Sequence, residues 1–338
     1  MCCVVFNINH QTHQTHQTMQ TNLHSFFKIT RIHNENHKRC FIYEPATHKA
    51  FFTSVPIDET DTFISIKTGV KLYYRQTQQN QEQPYIPIMQ TNASIPLLKS
   101  NLQKAVRRGC HSIAVSSALA MIQKEPMQFL RRLPIIYIED VCLIDSFPIV
   151  IWLLMADAQY TMNNSDIMIL IQIVYSLCDC SRYDDCRELM CKRDYTHETL
   201  ENEEECNHLL SLHYRYLYGG LKGDMQMLKN AIEFYIANPP AIIRYSFSST
   251  LPFEIDTNVV IMREAIDFHP FPAILTVLHK MTGLDKQTIK ECIWFAESGY
   301  NSRKQYTIET AEKYKEKREY IAIAIHLNEV RDSLLNLT

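Results

Sequence analysis

The chain has 338 residues, 46% apolar and 21% charged, the balance of a globular protein, which excludes wholesale disorder. A formal net charge of −3 argues against a broadly basic nucleic-acid coat and leaves room only for local patches. The length suits two modest domains or one large one, at roughly 150 residues each, and seven glycines in all exclude a glycine-rich nucleotide-binding architecture spread over several loops.

The eleven cysteines are odd in number and unevenly spaced, unlike the dense framework of a short disulfide-stapled secreted domain. Val4-Val5-Phe6 is too short for the apolar core of a signal peptide. The longest apolar run, Phe147 to Ala156, falls well short of the roughly 20 residues a membrane helix needs. These features predict an intracellular protein, cytoplasmic or nuclear, without membrane association. Residues 10–18 repeat His-Gln-Thr three times. The repeat reads as part of a disordered tail over residues 1–23, with Met19 a candidate native start, rather than as a metal-binding tract of His10, His13 and His16.

Residues 24–90 carry a β signature. Phe26–Ile32, Arg39–Glu44, Lys49–Val55 and Phe63–Tyr74 are rich in Phe, Ile, Val, Thr and Tyr, and Pro45, Pro56 and Asp58 punctuate them. Ile64, Ile66 and Val70 alternate with Ser65, Lys67 and Lys71, the period of a half-buried strand, and Gly69 is either a hairpin turn or a bulge. A polar stretch, Gln76–Gln83, then leads through Pro84, Pro87 and Pro96, and residues 91–99 read as an extended linker.

From Ser100 the period becomes helical. Ser100 and Gln103 have capping-box spacing, and Gly109 divides the run that follows. Pro126 sits in the first turn of the next helix, and Pro148 opens another over Ile149–Ala158. Asn163-Asn164-Ser165-Asp166 caps Ile167–Cys178, which is apolar almost all round and therefore central. Residues 178–206 form an acidic, cysteine-rich excursion. Helices are expected over Cys206–Tyr218, Met225–Ala237, Asp256–Leu278, Asp285–Ala296 and Ile308–Leu335. Strands first and helices afterwards predict an α+β protein, a small β-rich domain followed by a large helical domain over 100–338.

The segment Leu98 to Gly109, followed by Leu130-Arg-Arg-Leu-Pro134 and Ile138-Glu-Asp-Val141, resembles the helical region C-terminal to the ATPase core in the MgsA/RarA family of clamp-loader-like AAA+ proteins. The matching positions are Gln103, Lys104, Arg107, Arg131, Arg132, Leu133, Glu139 and Asp140, within about residues 98–158, under a fifth of the chain. The resemblance implies a helical, oligomer-forming module with DNA replication or repair associations, including replication proteins as partners. It does not imply the motor, because the chain contains no G-x-x-x-x-G-K-[ST] phosphate loop. Glu264 to His269 and the run from Trp294 to Arg303 resemble segments of uncharacterised proteins of large DNA viruses and protists, with no activity attached.

The same segment is a charge feature. Lys99, Lys104, Arg107, Arg108, Lys124, Arg131 and Arg132 face one acid, Glu125. Either these cations contact nucleic-acid phosphate, with affinity falling steeply with salt, or Arg131 and Arg132 pair with Glu139 and Asp140 and fix the fold. Gly219, Gly220 and Gly223 fall within five positions, flanked by Tyr214, Arg215, Tyr216, Tyr218 and Lys222. The loop is either an anion cradle ahead of a helix N-terminus or, as the preferred reading, a tight corner with Asp224 as N-cap. Cys178, Cys180, Cys186, Cys191 and Cys206, with His197 and His208, lack the paired spacing of zinc knuckles, so no metal and no cofactor is expected. Glu264, Asp267 and His269 are the acid–base candidates for an enzyme acting on a phosphate-containing substrate. No nucleophile signature accompanies them. The preferred function is therefore a non-enzymatic, DNA-associated binding or assembly protein.

Overall fold

A computed structural model describes residues 40–53, 61–65, 68–75, 83–186, 203–246, 251–268 and 271–335. The fold is α+β. Four strands come first: β1 Cys40–Glu44, β2 Lys49–Thr53, β3 Asp61–Ile64 and β4 Lys71–Tyr74. The helices follow: α1 Ile95–Arg107, α2 His111–Lys124, α3 Pro126–Asp140, α4 Phe147–Ala156 and α5 Asn164–Asp179. After them come α6 Glu203–Tyr218, α7 Lys222–Ala237, α8 Phe271–Thr282, α9 Lys286–Ile293, α10 Gln305–Lys315 and α11 Arg318–Leu335. A 3-10 segment, Arg263–Phe268, precedes α8, and a π-helical turn, Trp294–Ser298, follows α9. The expected strand over Phe26–Ile32, the His-Gln-Thr repeat and Met19 lie outside the described residues.

The chain divides into two compact units, each gathered from three separated stretches. The first comprises Met1–Asn80, Leu143–Thr161 and Asp185–Arg244; the second comprises Gln81–Cys142, Met162–Asp184 and Tyr245–Thr338.

In the first unit the sheet order is β2-β1-β4-β3. β1 is antiparallel to β2, with Tyr43 opposite Ala50, and parallel to β4, with Phe41 opposite Leu72. β1 is central and Cys40–Tyr43 is buried throughout, which explains its uninterrupted apolar run. The Gly69 region is a hairpin turn joining β3 to β4: Ser65 N–H donates to Val70 O and Gly69 N–H to Ser65 O. Helix α4 packs on β1, β2 and β4 and is buried at every position. Its Trp152 lies among Tyr43, Phe63, Tyr74 and Tyr160, ring centroids 5.2–6.2 Å away, and Trp152 Nε1–H donates to Phe41 O at 3.0 Å. Such a ring cluster buries large apolar area while giving the indole N–H its partner.

In the second unit α1 packs against α2 and α3, and α2 against α5. The expected cap of α5 is a capping box, Asn163 and Asp166 each accepting the other's backbone N–H through the side chain at 3.0 Å. Gly109 separates α1 from α2 with φ of +66°, a left-handed conformation that ends α1 while Cys110 N–H reaches back to Ala105 O at 2.9 Å.

Four expectations are corrected. Helix α1 starts at Ile95, not Ser100, with Pro96 in its first turn, where the missing N–H and fixed φ are tolerated. Among the described residues, the helix expected over 256–278 is an irregular stretch, the short 3-10 segment and α8, because Thr257 O accepts from Gln90 N–H rather than from a helical neighbour. The helix expected over 308–335 is two helices, α10 and α11, joined at Glu316 and Lys317. The proline-rich stretch before α1 is packed, not a free spacer. Ile86 and Met89 pack against Val115, Leu119 and Ile171, and Gln123 Nε2 donates to Pro87 O at 2.7 Å.

Candidate functional site

Helix α1 turns its charged residues inward. Ser100, Gln103, Lys104 and Arg107 are all buried. Arg107 Nε donates to Asp140 Oδ1 at 2.6 Å and its Nη2 to Glu139 Oε1 at 2.8 Å. Gln103 Nε2 donates to Asp140 Oδ2 at 2.6 Å and Glu139 Oε2 at 2.9 Å. Burial pushes the Asp140 carboxyl up, but Arg107, Lys304 and Gln103 outweigh it and hold it below the usual carboxylate range. Glu139 and Asp140 thus serve Arg107 and Gln103 rather than Arg131 and Arg132, a correction to the expected pairing. Three residues apart, Asp140 and Tyr137 share a face of α3 turned inward, whereas Arg131 and Arg132 are half-buried. Arg132 has no carboxylate or hydrogen-bond partner among the described residues, and its Nε is buried without one.

A second charged knot adjoins the first. Arg331 of α11 grips Asp267 with two hydrogen bonds, Nε to Oδ1 at 2.8 Å and Nη2 to Oδ2 at 2.7 Å, and donates through Nη1 to Glu297 Oε2 at 2.5 Å. Ser298 donates to Asp267, and Tyr320 to Glu297. Arg108 reaches Glu264 at 3.4 Å and donates to Glu297 O at 3.0 Å. Lys104 lies between the two knots, 3% exposed; its Nζ donates to Ser100 Oγ at 2.9 Å. Burial pulls its pKa down to about 7, against the opposing pull of Asp267. The bidentate fork on Asp267 is the geometry of a charged pair, so the two described members of the acid trio, Glu264 and Asp267, are engaged by arginines. His269 lies outside the described residues.

The run Ser298 to Arg303 closes the arrangement, a role its sequence did not disclose. Arg303 donates to Val106 O and Leu177 O at 2.7 Å, to Cys178 O at 2.8 Å and to Cys180 O at 2.5 Å. Ser302 N–H and Oγ–H both donate to Arg107 O, and Asn301 Nδ2 to Asp140 O. One short segment therefore satisfies the terminal carbonyls of α1, α3 and α5, which have no partners within their own helices. The only prior signal was an Asn-Ser-Arg cluster after a glycine.

In the first unit, the glycine loop joins α6 to α7. Gly219 has φ of +82°, and its carbonyl accepts from the buried Arg215 Nη1 at 3.0 Å. A Cβ on Gly220 would meet Met225 Cε at 3.4 Å and the Arg215 guanidinium at 3.8 Å. Lys222 is exposed and is the first residue of α7; the N-cap is Leu221, not Asp224, which sits two residues into the helix with Gly223 between. Leu221 has extended backbone, so the chain enters α7 before reaching Asp224.

His208 Nε2 lies 3.1 Å from Ile144 O, while Cys191 and His197 lie outside the described residues. Among the described residues no three His, Cys, Asp or Glu side chains converge as a metal-ligand set, and no helix is long and apolar enough to cross a membrane. No family matches this chain, and neither the curated proteins nor the solved structures provide a match.

Proposed function

We propose that this chain is a non-enzymatic, intracellular, nucleic-acid-associated binding or assembly protein of DNA replication or repair, and that its phosphate contacts run through Arg132 and Arg131 of α3. The observation that carries the reading is the partnering of α3. The acids expected to neutralise its arginine pair are taken by Arg107 and Gln103, which leaves Arg132 half-buried and without a carboxylate among the described residues. Gln128, one turn before Arg132 on the same helix face, accepts from Lys99 Nζ at 2.5 Å, bringing a third cation to that face. Lys104 and Arg107, turned inward, hold the helices instead.

The test is DNA retention as a function of salt. Wild type should bind at about 50 mM salt, where phosphate contacts dominate, and the double variant Arg131→Gln/Arg132→Gln should flatten the log–log salt slope by about two. Failure of the wild type to retain DNA under that condition overturns the reading.

A further inference from the structure

Two cysteines of the second unit meet where α3 and α5 end. Cys142 follows α3 by two residues, and Cys180 is the C-cap of α5. Asp184 N–H donates to Val141 O at 3.1 Å, holding the two chain segments side by side. The sulfurs of Cys142 and Cys180 lie 3.8 Å apart as a hydrogen-bonded thiol pair. The two residues are 1% and 2% exposed, and no disulfide joins them.

The surroundings make the two sulfurs unequal. The hydrogen bond from Cys142 favours the thiolate at Cys180, and the hydroxyl of Tyr245 and the positive charge of Arg303 act in the same direction against burial. The same shared hydrogen bond, with burial, keeps the proton on Cys142. Cys178, two residues before Cys180, is pushed the other way by burial. A sulfur biased toward the thiolate, 3.8 Å from a thiol that keeps its proton, is the arrangement of an attacking and a resolving cysteine. Tyr245 is itself half-buried, so the pair lies just beneath the surface rather than deep in the core.

We infer that Cys142 and Cys180 form a reversible peroxide-oxidised dithiol site, with Cys180 as the reacting sulfur and Cys142 as the resolving one. The oxidant is a hydroperoxide, whose smallest member is close to water in size and so suits buried sulfurs better than a bulky disulfide. The Cys180 thiolate attacks one peroxide oxygen; the O–O bond breaks, leaving Cys180 sulfenic acid and hydroxide. The Cys142 sulfur then attacks the sulfenic sulfur, the S–O bond breaks, and water leaves as the S–S bond forms. Two thiols and one hydrogen peroxide give one disulfide and two waters; the thiols lose two electrons and the peroxide gains them. The bridge ties the end of α3 to the end of α5, beside the carbonyls that Arg303 holds. This site is independent of the nucleic-acid reading.

The experiment treats the reduced full-length protein with hydrogen peroxide, unfolds it in urea with iodoacetamide, and maps it with pepsin at low pH. Trypsin is unsuitable, since no Lys or Arg separates Cys142 from Cys180. The expected product is a Cys142–Cys180 cross-link, two hydrogens lighter than the dithiol and restored by dithiothreitol. In Cys142→Ser, dimedone should trap a sulfenic acid at Cys180. Recovery of Cys142 and Cys180 both carrying the iodoacetamide tag in peroxide-treated wild type overturns the inference, as does a cross-link from Cys180 to any other cysteine. So does dimedone labelling of Cys142→Ser at other cysteines and not at Cys180. The wild-type arms need no variant to fold.

Discussion

The two units centre on different materials. Around Trp152 the first unit packs Tyr43, Tyr74, Phe63 and Tyr160 beneath a helix that is apolar at every position. Around α1 the second unit gathers Arg107, Asp140, Arg331, Asp267 and Lys104, all buried. Apolar packing is non-directional and tolerates exchange among side chains of similar volume. A buried ion pair is directional: replacing it with matched apolar groups is often no less stable, yet removing one partner strands a charge. The polar interior of the second unit therefore sets which helix ends meet and in what register, while its Leu and Ile positions supply the burial.

The sharpest way to break this contrast is to take Asp267 from Arg331, leaving the buried guanidinium Glu297 as its carboxylate. Asp267→Ala should lower the unfolding free energy by about 3–5 kcal/mol, whereas the double variant Asp267→Leu/Arg331→Met should recover most of that loss. As the control from the aromatic unit, Leu154→Met should cost less than about 1.5 kcal/mol. Urea denaturation measures all three, and equal losses in the single and double variants would remove the distinction between the interiors.

The next effect is a pH dependence. Lys104 has its folded pKa lowered by burial to about 7, so between there and its ordinary value the unfolded chain binds more protons. Stability should then rise with pH above about 7, by up to roughly 1.4 kcal/mol per pH unit. Asp267, Glu264, Arg107 and Arg108 face it. Comparing wild type with Lys104→Met between pH 7 and pH 9 isolates the contribution; parallel curves would show that Lys104 is not a buried titrating group.

The smallest effect belongs to the glycine loop of the aromatic unit. Gly219→Ala should cost about 1–2 kcal/mol through its positive φ alone, since a Cβ there meets nothing within 4 Å. Lys222→Ala, at an exposed position, should leave Tm unchanged. A thermal melt of both variants distinguishes the corner from a site that needs the lysine.

Local patterns on the chain were enough to predict α+β, the strands within 39–74, the break at Gly109, the cap at Asn163 and Asp166, and the stop of α7 before Asn238-Pro239-Pro240. Each is written within a few residues, in β-branched and aromatic runs, capping spacing or backbone restriction. The direction of a charge is not local. Lys104, Arg107 and Arg108 read as a basic patch because their partners are remote: Asp140 lies more than thirty positions onward, Glu264 more than a hundred and fifty, and Arg303 reaches back to α1 across almost two hundred. The start of α1 moved for the same reason, with Ser100 and Gln103 carrying cap-like spacing that the tertiary structure used for Lys104 and for Glu139 and Asp140. Composition and spacing determined which residues can be charged, thiol-bearing or left-handed. Only the packing of distant segments decided which of them met, because burial turns a solvated charge into one that must find its counter-charge.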